Sequence, residues 1–276
     1  MRTAVSPLSL LRPRTLREAL TMLRDEGPLS PLAGCTDVYV SLQFGTLAEK
    51  RFVDLWPLQE LRGIADDRGT LRIGALTTYT DLIQSPLVRR RVPMLVAASR
   101  EIGGRQIQNR GTLGGNIANA SPAGDALPVL AVADATIMLS SAGGVRRVPF
   151  NTFYTGYRTS VRRPDEIIVA IEVPRIEGRQ YWRKVGTRRA QAISKVMCAA
   201  VRGPDVRVAL GSVAPTVLRL RRTERVLTAG SSLKQAQAVM RGEIAPIDDL
   251  RSTADYRREV SVNLLADFWY VTRKAY

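Results

Sequence analysis

Apolar residues along the first third of the chain switch between helical and strand spacing. Leu16, Ala19, Leu20 and Leu23 share one face of a helix predicted over residues 15–25, with Thr15 as its cap and Glu18 three residues on in a capping-box pattern. Pro31-Leu32-Ala33 is a short apolar run closed by Gly34 and is predicted as a buried strand. A helix follows from Thr36 or Asp37, carrying Val38, Val40, Leu42 and Phe44, and residues 51–55 form a strand. These elements make a first α/β lobe over about residues 1–55.

A second lobe, over residues 56–176, begins with a strand at 71–75 and a short helix capped by Thr78. Residues 86–101 are helical and broken near Pro93, and residues 102–128 are expected to be a long irregular loop, rich in Gly, Asn, Ser and Ala. A hairpin pairs 136–139 with 145–148 around Gly143-Gly144, and 166–173 is a further strand ended by Pro174. Beyond a boundary at Ile176-Glu177-Gly178 the pattern changes. Three strands at 180–185, 192–201 and 206–213, then helices at 231–242 and 254–272, predict a small α+β domain over 177–276. Val260, Leu264, Phe268 and Val271 mark the expected apolar face of the last helix.

Composition narrows the chemistry. There is no histidine and there are two cysteines, Cys35 and Cys198. Histidine-dependent triads, a four-thiolate iron–sulfur cluster and the usual Cys/His zinc sites are therefore excluded. Any redox chemistry has to come from a bound cofactor. The net charge is +16, almost all from arginine, with only five lysines. Its clusters at Arg89-Arg90-Arg91, Arg162-Arg163 and residues 219–225 are not interleaved with aromatics as a single-strand nucleic-acid platform would be. The apolar stretch at the N-terminus is too short and Pro-broken for a signal peptide, no run can span a bilayer, and the expected location is the cytoplasm.

Two glycine-containing segments carry the candidate site. Leu32-Ala33-Gly34-Cys35-Thr36-Asp37 joins a strand to a helix, where amides can hold an anion. The second runs from Arg110 through Gly111-Thr112-Leu113-Gly114-Gly115-Asn116 to Ser121 and Asp125. Its glycine pair permits close backbone approach, and Thr112, Asn116, Ser121 and Asp125 supply polar groups. It matches neither a Walker loop nor a Rossmann turn. The expected ligand is large, polar and phosphate-bearing.

This pair of segments resembles the flavin-binding signature of the FAD-containing medium subunits of molybdenum hydroxylases, the family of xanthine and carbon monoxide dehydrogenases. The family's Ala-Gly-Gly-Thr-Asp stands here as Ala33-Gly34-Cys35-Thr36-Asp37. Its Gly-Thr-Ile-Gly-Gly-Asn and Ala-Ser-Pro-x-x-Asp stand as Gly111-Thr112-Leu113-Gly114-Gly115-Asn116 and Ala120-Ser121-Pro122-Ala123-Gly124-Asp125. Gln106-Ile107-Gln108-Asn109, Tyr181-Trp182-Arg183-Lys184 and Ser252-Thr253-Ala254-Asp255-Tyr256 extend the resemblance nearly end to end. It implies a two-lobed vanillyl-alcohol-oxidase-like FAD domain, then an α+β C-terminal domain built on a three-stranded antiparallel sheet.

The resemblance also implies roles. Backbone groups of Leu32, Ala33, Gly34, Cys35, Thr36 and Asp37, and of Thr112, Leu113, Gly114, Gly115 and Asn116, would hold the FAD pyrophosphate. Asp125 would bond the flavin or its ribityl chain with Ser121 nearby. Ile102 and Ile168 would make apolar contacts, and Lys184 would reach the cofactor. Partners would be a large molybdopterin subunit and a small subunit with two [2Fe–2S] clusters, in a dimer of heterotrimers. Electrons would pass from the clusters to FAD and on to NAD, oxygen, a quinone or another acceptor. Two departures stand out. Cys35 replaces the second motif glycine, which produces strain if that residue needs positive φ. Gly104-Arg105 stands where many relatives have Ser or Lys. A stand-alone flavoprotein would differ by turning over substrate without partners, and a nucleic-acid binder by steep salt dependence and no yellow colour.

Overall fold

The computed structural model describes residues 7–188 and 191–273; the first six residues of the N-terminal segment lie outside it. The first lobe contains β1 (Ser9–Leu11), α1 (Leu16–Asp25), β2 (Ser30–Leu32), α2 (Thr36–Gln43) and β3 (Arg51–Asp54). The strands form a parallel sheet in the order β1-β3-β2. Thr15 caps α1 by accepting from the Glu18 amide, but Glu18 itself accepts from the Arg14 amide, so the predicted box is not closed. β1 went unread in the sequence because its Ser-Leu-Leu is too short to show a period.

The second lobe runs β4 (Ile64–Asp67), β5 (Thr70–Gly74), α3 (Tyr79–Gln84), α4 (Pro86–Arg91), α5 (Pro93–Arg100), α6 (Arg105–Gln108), α7 (Leu113–Asn119) and α8 (Leu127–Val132). It continues through β6 (Thr136–Ser141), β7 (Gly144–Pro149), β8 (Tyr154–Gly156), β9 (Thr159–Ser160) and β10 (Ile167–Val173). An antiparallel sheet, β4-β5-β10-β6-β7, forms its centre. β10 is apolar almost throughout because both of its faces are covered. Ile168, Ile171 and Val173 join the main core under the helices, and Ile167 and Val169 join a second core under α1 and the first lobe. A register shift between Ile168 and Ala170 changes the alternation, so that Ile168 shares a face with Ile171 and Val173.

The segment 102–128 is not the irregular loop the composition predicts. It contains α6, α7 and the start of α8. Glycine and asparagine are poor helix formers in isolation, but here Thr112 caps α7 through the Gly115 amide and Leu113 and Ile117 are fully buried. Tertiary burial overrides weak local propensity.

The C-terminal part contains β11 (Arg179–Val185), β12 (Val196–Arg202), β13 (Val206–Gly211), β14 (Leu218–Arg219), α9 (Arg221–Thr228), α10 (Leu233–Arg241) and α11 (Ala254–Arg273). Its antiparallel sheet has four strands, not three, because two residues of β14 pair with Ala209 and Leu210. Alternation sets its two faces. Ala199, Val201 and Ala209 face the helices of the second lobe, and Cys198, Ala200, Val208 and Leu210 face α9–α11. α9 escaped the sequence reading because Arg-Arg-Thr-Glu-Arg looks like a solvated run, yet Thr223, Glu224 and Leu227 are buried. The buried residues of α11 are Arg257, Ser261, Val262, Leu264, Leu265, Phe268 and Thr272, and the predicted Val271 points outward at 58% exposure.

Candidate FAD site

A cleft of about 360 Å³ opens between the two lobes. One wall is β2 and the start of α2; the other is α7, β10 and the β8–β9 hairpin. Of the predicted site residues, Leu32, Ala33, Gly34, Cys35, Thr36, Asp37, Thr112, Gly114, Gly115, Asn116 and Ile168 line it.

The two glycine segments touch. A Cβ on Gly34 would stand 1.7 Å from the Arg110 carbonyl oxygen, and one on Gly114 would stand 2.7 Å from the Ala75 Cβ and carbonyl. Only glycine permits this approach. The Arg110 guanidinium stacks on the Trp56 ring at 3.7 Å and fixes the chain just before Gly111. Cys35 sits at φ +62, the left-handed region, so the residue that replaces glycine does carry the backbone strain its position implies.

The two segments differ in what they offer. Cys35 is the N-cap of α2 and makes no side-chain cap bond, so the first-turn amides of this helix are left without a cap acceptor at the cleft. The amides of the second segment are taken. Leu113 donates to Thr77 O, Gly114 to Ala75 O, Gly115 to Thr112 Oγ1 and Asn116 to Thr112 O. What α7 presents is a surface of small residues and the Asn116 side chain. The Asn116 Oδ1 is buried without a hydrogen-bond partner among the described residues. A buried acceptor in this state suits a donor from a ligand or an ordered water.

Leu113, Ile102, Ser121, Asp125 and Lys184 do not line the cleft. Leu113 is in the core and Ile102 packs against it. Ser121 Oγ accepts from the Ala123 amide in the turn after α7. Asp125 and Lys184 form a buried pair, Nζ to Oδ2 at 2.6 Å; Ser194 Oγ donates to Asp125 Oδ1, and Lys184 Nζ also donates to Glu101 O at 3.1 Å. Burial pushes the Asp125 carboxyl upward, against the pull of Lys184 and Ser194.

Other cleft residues were not read from the sequence. Tyr79 is buried at the cleft, and burial together with the charges of Asp37 and Asp125 raises its phenol well above the ordinary value. Arg158, Arg162, Glu166 and Asn119 complete the second wall. Arg162 and Asn119 fell inside segments noted for charge or small residues; Arg158 and Tyr79 carried no local signal. The Cys35 thiol is raised by burial, with Arg110 opposing and Asp54 reinforcing the shift. The Asp37 carboxyl is raised by desolvation against the cleft wall, opposed by Arg158.

Comparison with known proteins decides what this cleft belongs to. Residues 6–176 match the family model of the FAD-binding domain in molybdopterin dehydrogenase, and residues 181–272 match the CO dehydrogenase flavoprotein C-terminal domain. The chain belongs to the FAD-binding medium subunits of the molybdenum hydroxylases.

It is 36% identical over 262 residues to the xanthine dehydrogenase FAD-binding subunit of Escherichia coli O157:H7, covering 89% of both chains. It is 33% identical over 258 residues to the carbon monoxide dehydrogenase medium chain of Hydrogenophaga pseudoflava, covering 89% of this chain and 90% of that one. The solved carbon monoxide dehydrogenase of Hydrogenophaga pseudoflava that lacks the Mo-pyranopterin moiety superposes with a TM-score of 0.89 at 29% identity, covering 94% of this chain and 95% of that chain. The residues of this medium subunit fit FAD: the glycines bring both segments to one cleft, the open amides of α2 suit a phosphate, and the orphaned Asn116 Oδ1 suits a hydroxyl. Among the described residues no group of side chains could hold a metal ion, and no helix is long and apolar enough to cross a membrane.

Proposed function

We propose that this medium subunit receives electrons from [2Fe–2S] clusters of a small partner subunit and passes them to NAD, oxygen, a quinone or another acceptor. A large molybdopterin subunit would oxidise the substrate, within a cytoplasmic dimer of heterotrimers. FAD supplies the redox chemistry when bound, and the protein's part is to bind and orient it.

The observation that carries this reading is the lobe-to-lobe cleft, where the close-packed glycine segments meet the uncapped start of α2. The first-turn amides of Thr36, Asp37 and Val38 are the main diphosphate donors. Leu32, Ala33, Gly34 and Cys35 shape that wall. Thr112, Gly114, Gly115 and Asn116 form the opposing surface, with Asn116 Oδ1 accepting from a cofactor hydroxyl. Leu113 acts from behind, by packing. Ile168 is an apolar contact at the cleft, and Ile102, Ser121, Asp125 and Lys184 support the flavin end near the C-terminal domain. The division into an FAD domain over 1–176, with a vanillyl-alcohol-oxidase-like pair of lobes, and a flavoprotein domain over 177–276 follows the same reading.

The test is a visible spectrum of the purified chain before and after dithionite. Flavin bands that bleach, with FAD released on heating, are the expected result. A chain that stays colourless after incubation with FAD sinks the reading.

A further inference from the structure

FAD carries negative charge on both phosphates, whereas the open amides of α2 are neutral dipoles. Five charged side chains line the cleft: Asp37, Glu49, Arg158, Arg162 and Glu166. Asp37 and Glu49 have the wrong sign. Arg162 and Glu166 are already committed. Glu166 accepts from Nε and Nη2 of Arg146 and from the Arg163 amide, and Arg162 Nη1 donates to the carbonyls of Arg163 and Glu166.

Arg158 differs. It lies between β8 and β9 at φ +54, a left-handed conformation that is rare outside glycine. Its Nη1 donates to Asn119 Oδ1 at 2.9 Å, at the C-terminal end of α7. That bond and the Tyr157 ring, 5.8 Å from the guanidinium carbon, hold the side chain at the cleft, and the remaining guanidinium N–H groups make no hydrogen bond among the described residues. Its charge reaches the start of α2, where it opposes the desolvation that raises the Asp37 pKa. A planar fork with free donors, lining the same cleft as the open amides of α2, suits a phosphate group.

We infer that Arg158 is the charge partner of the cofactor's diphosphate, acting together with the open amides of α2. This rests on the FAD reading of the cleft. It adds a cation, supplied by the hairpin, to a site whose motif residues contribute only neutral donors and acidic side chains.

The experiment uses the full chain stripped of flavin. FAD and riboflavin, which lacks phosphate, are titrated by flavin fluorescence at about 50 and about 400 mM salt, between which exposed charges become screened. In the unaltered protein FAD affinity should fall with salt and riboflavin affinity should not. Arg158→Gln should raise the FAD Kd about tenfold at low salt and flatten its salt dependence, as expected for losing one charge-assisted contact. Riboflavin binding should be unchanged, and Arg158→Lys should keep the salt dependence.

An Arg158→Gln variant with an unchanged FAD Kd and salt dependence overturns the inference and leaves the FAD reading standing. Equal losses for FAD and riboflavin also overturn it, since the residue then acts by packing. Should that variant fold poorly, the unaltered chain still decides, because salt-independent FAD binding excludes a charge partner. An unaltered chain that binds neither flavin overturns the FAD reading itself.

Discussion

Lys184 Nζ lies 2.6 Å from Asp125 Oδ2, and both side chains are buried where the C-terminal sheet meets the turn after α7. The pair joins two parts of the chain 59 residues apart, and Trp182 Nε1 reinforces it by donating to Asp125 O at 3.3 Å. Removing one partner strands the other charge in the protein. Asp125→Ala should therefore destabilise the fold by about 3–5 kcal/mol as well as lower FAD retention. The double variant Asp125→Ala/Lys184→Met should recover most of the stability lost by Asp125→Ala in urea unfolding. A fully additive double variant would show that the pair is not coupled.

Gly34→Ala should be far more damaging than its size suggests. The added Cβ meets a carbonyl oxygen, which cannot rotate away. The two cleft segments must separate, and we expect at least about 2 kcal/mol lost together with flavin binding. A variant that folds and binds FAD normally would show that the segments can part freely.

Cys35→Gly should be tolerated, with a gain of up to about 1 kcal/mol, because relief of the left-handed strain slightly exceeds the added unfolded-chain entropy. Cys35→Val should move the other way, since a β-branched residue fits that conformation poorly. Thermal unfolding of the two variants in opposite directions is the expected outcome.

Gly115→Val acts through the cap of α7. Its Cβ would stand 2.8 Å from Thr112 Oγ1, the acceptor of the Gly115 amide. Loss of flavin loading should follow from displacement of this turn. Thr112→Ala, which removes the cap alone, should cost about 1 kcal/mol and weaken loading less. Comparing FAD stoichiometry in the two variants separates capping from crowding.

Stability should fall in acid through Glu166. Burial raises its pKa, but the Arg146 bonds and the Arg163 amide outweigh burial and hold it below the usual carboxylate range. The stability it contributes is complete above the unfolded value of about 4.3 and is lost as pH falls through the folded value. Glu166→Gln should be less stable at neutral pH and should lose less between about pH 5 and pH 3. Urea midpoints at both ends of that range check it.

Local patterns carried much of the fold. Thr15 and Thr78 cap helices where they were predicted to, and the β6–β7 hairpin, β10 and the C-terminal strands follow period-two or continuous apolar runs. The glycine segments were legible because close backbone approach leaves its mark in residue type. Short or charged elements were not: β1, β14 and α9 depend on partners distant in the chain, and α11 buries Arg257 rather than Val271 because Asp249 and the Ser212 carbonyl bind that guanidinium.

By itself the sequence determined the family, many of the longer elements and the residue types at the cleft, since periodicity and glycine placement are local properties. Only the tertiary structure decided which amides remain open. Those of α7 are consumed by Thr77, Ala75 and Thr112, and those starting α2 are not, because hydrogen-bond saturation depends on what folds against each segment. It also decided that Asp125 pairs with Lys184 and that Arg158 stands at the cleft, since the partners of a charge are set by packing between segments far apart in the chain.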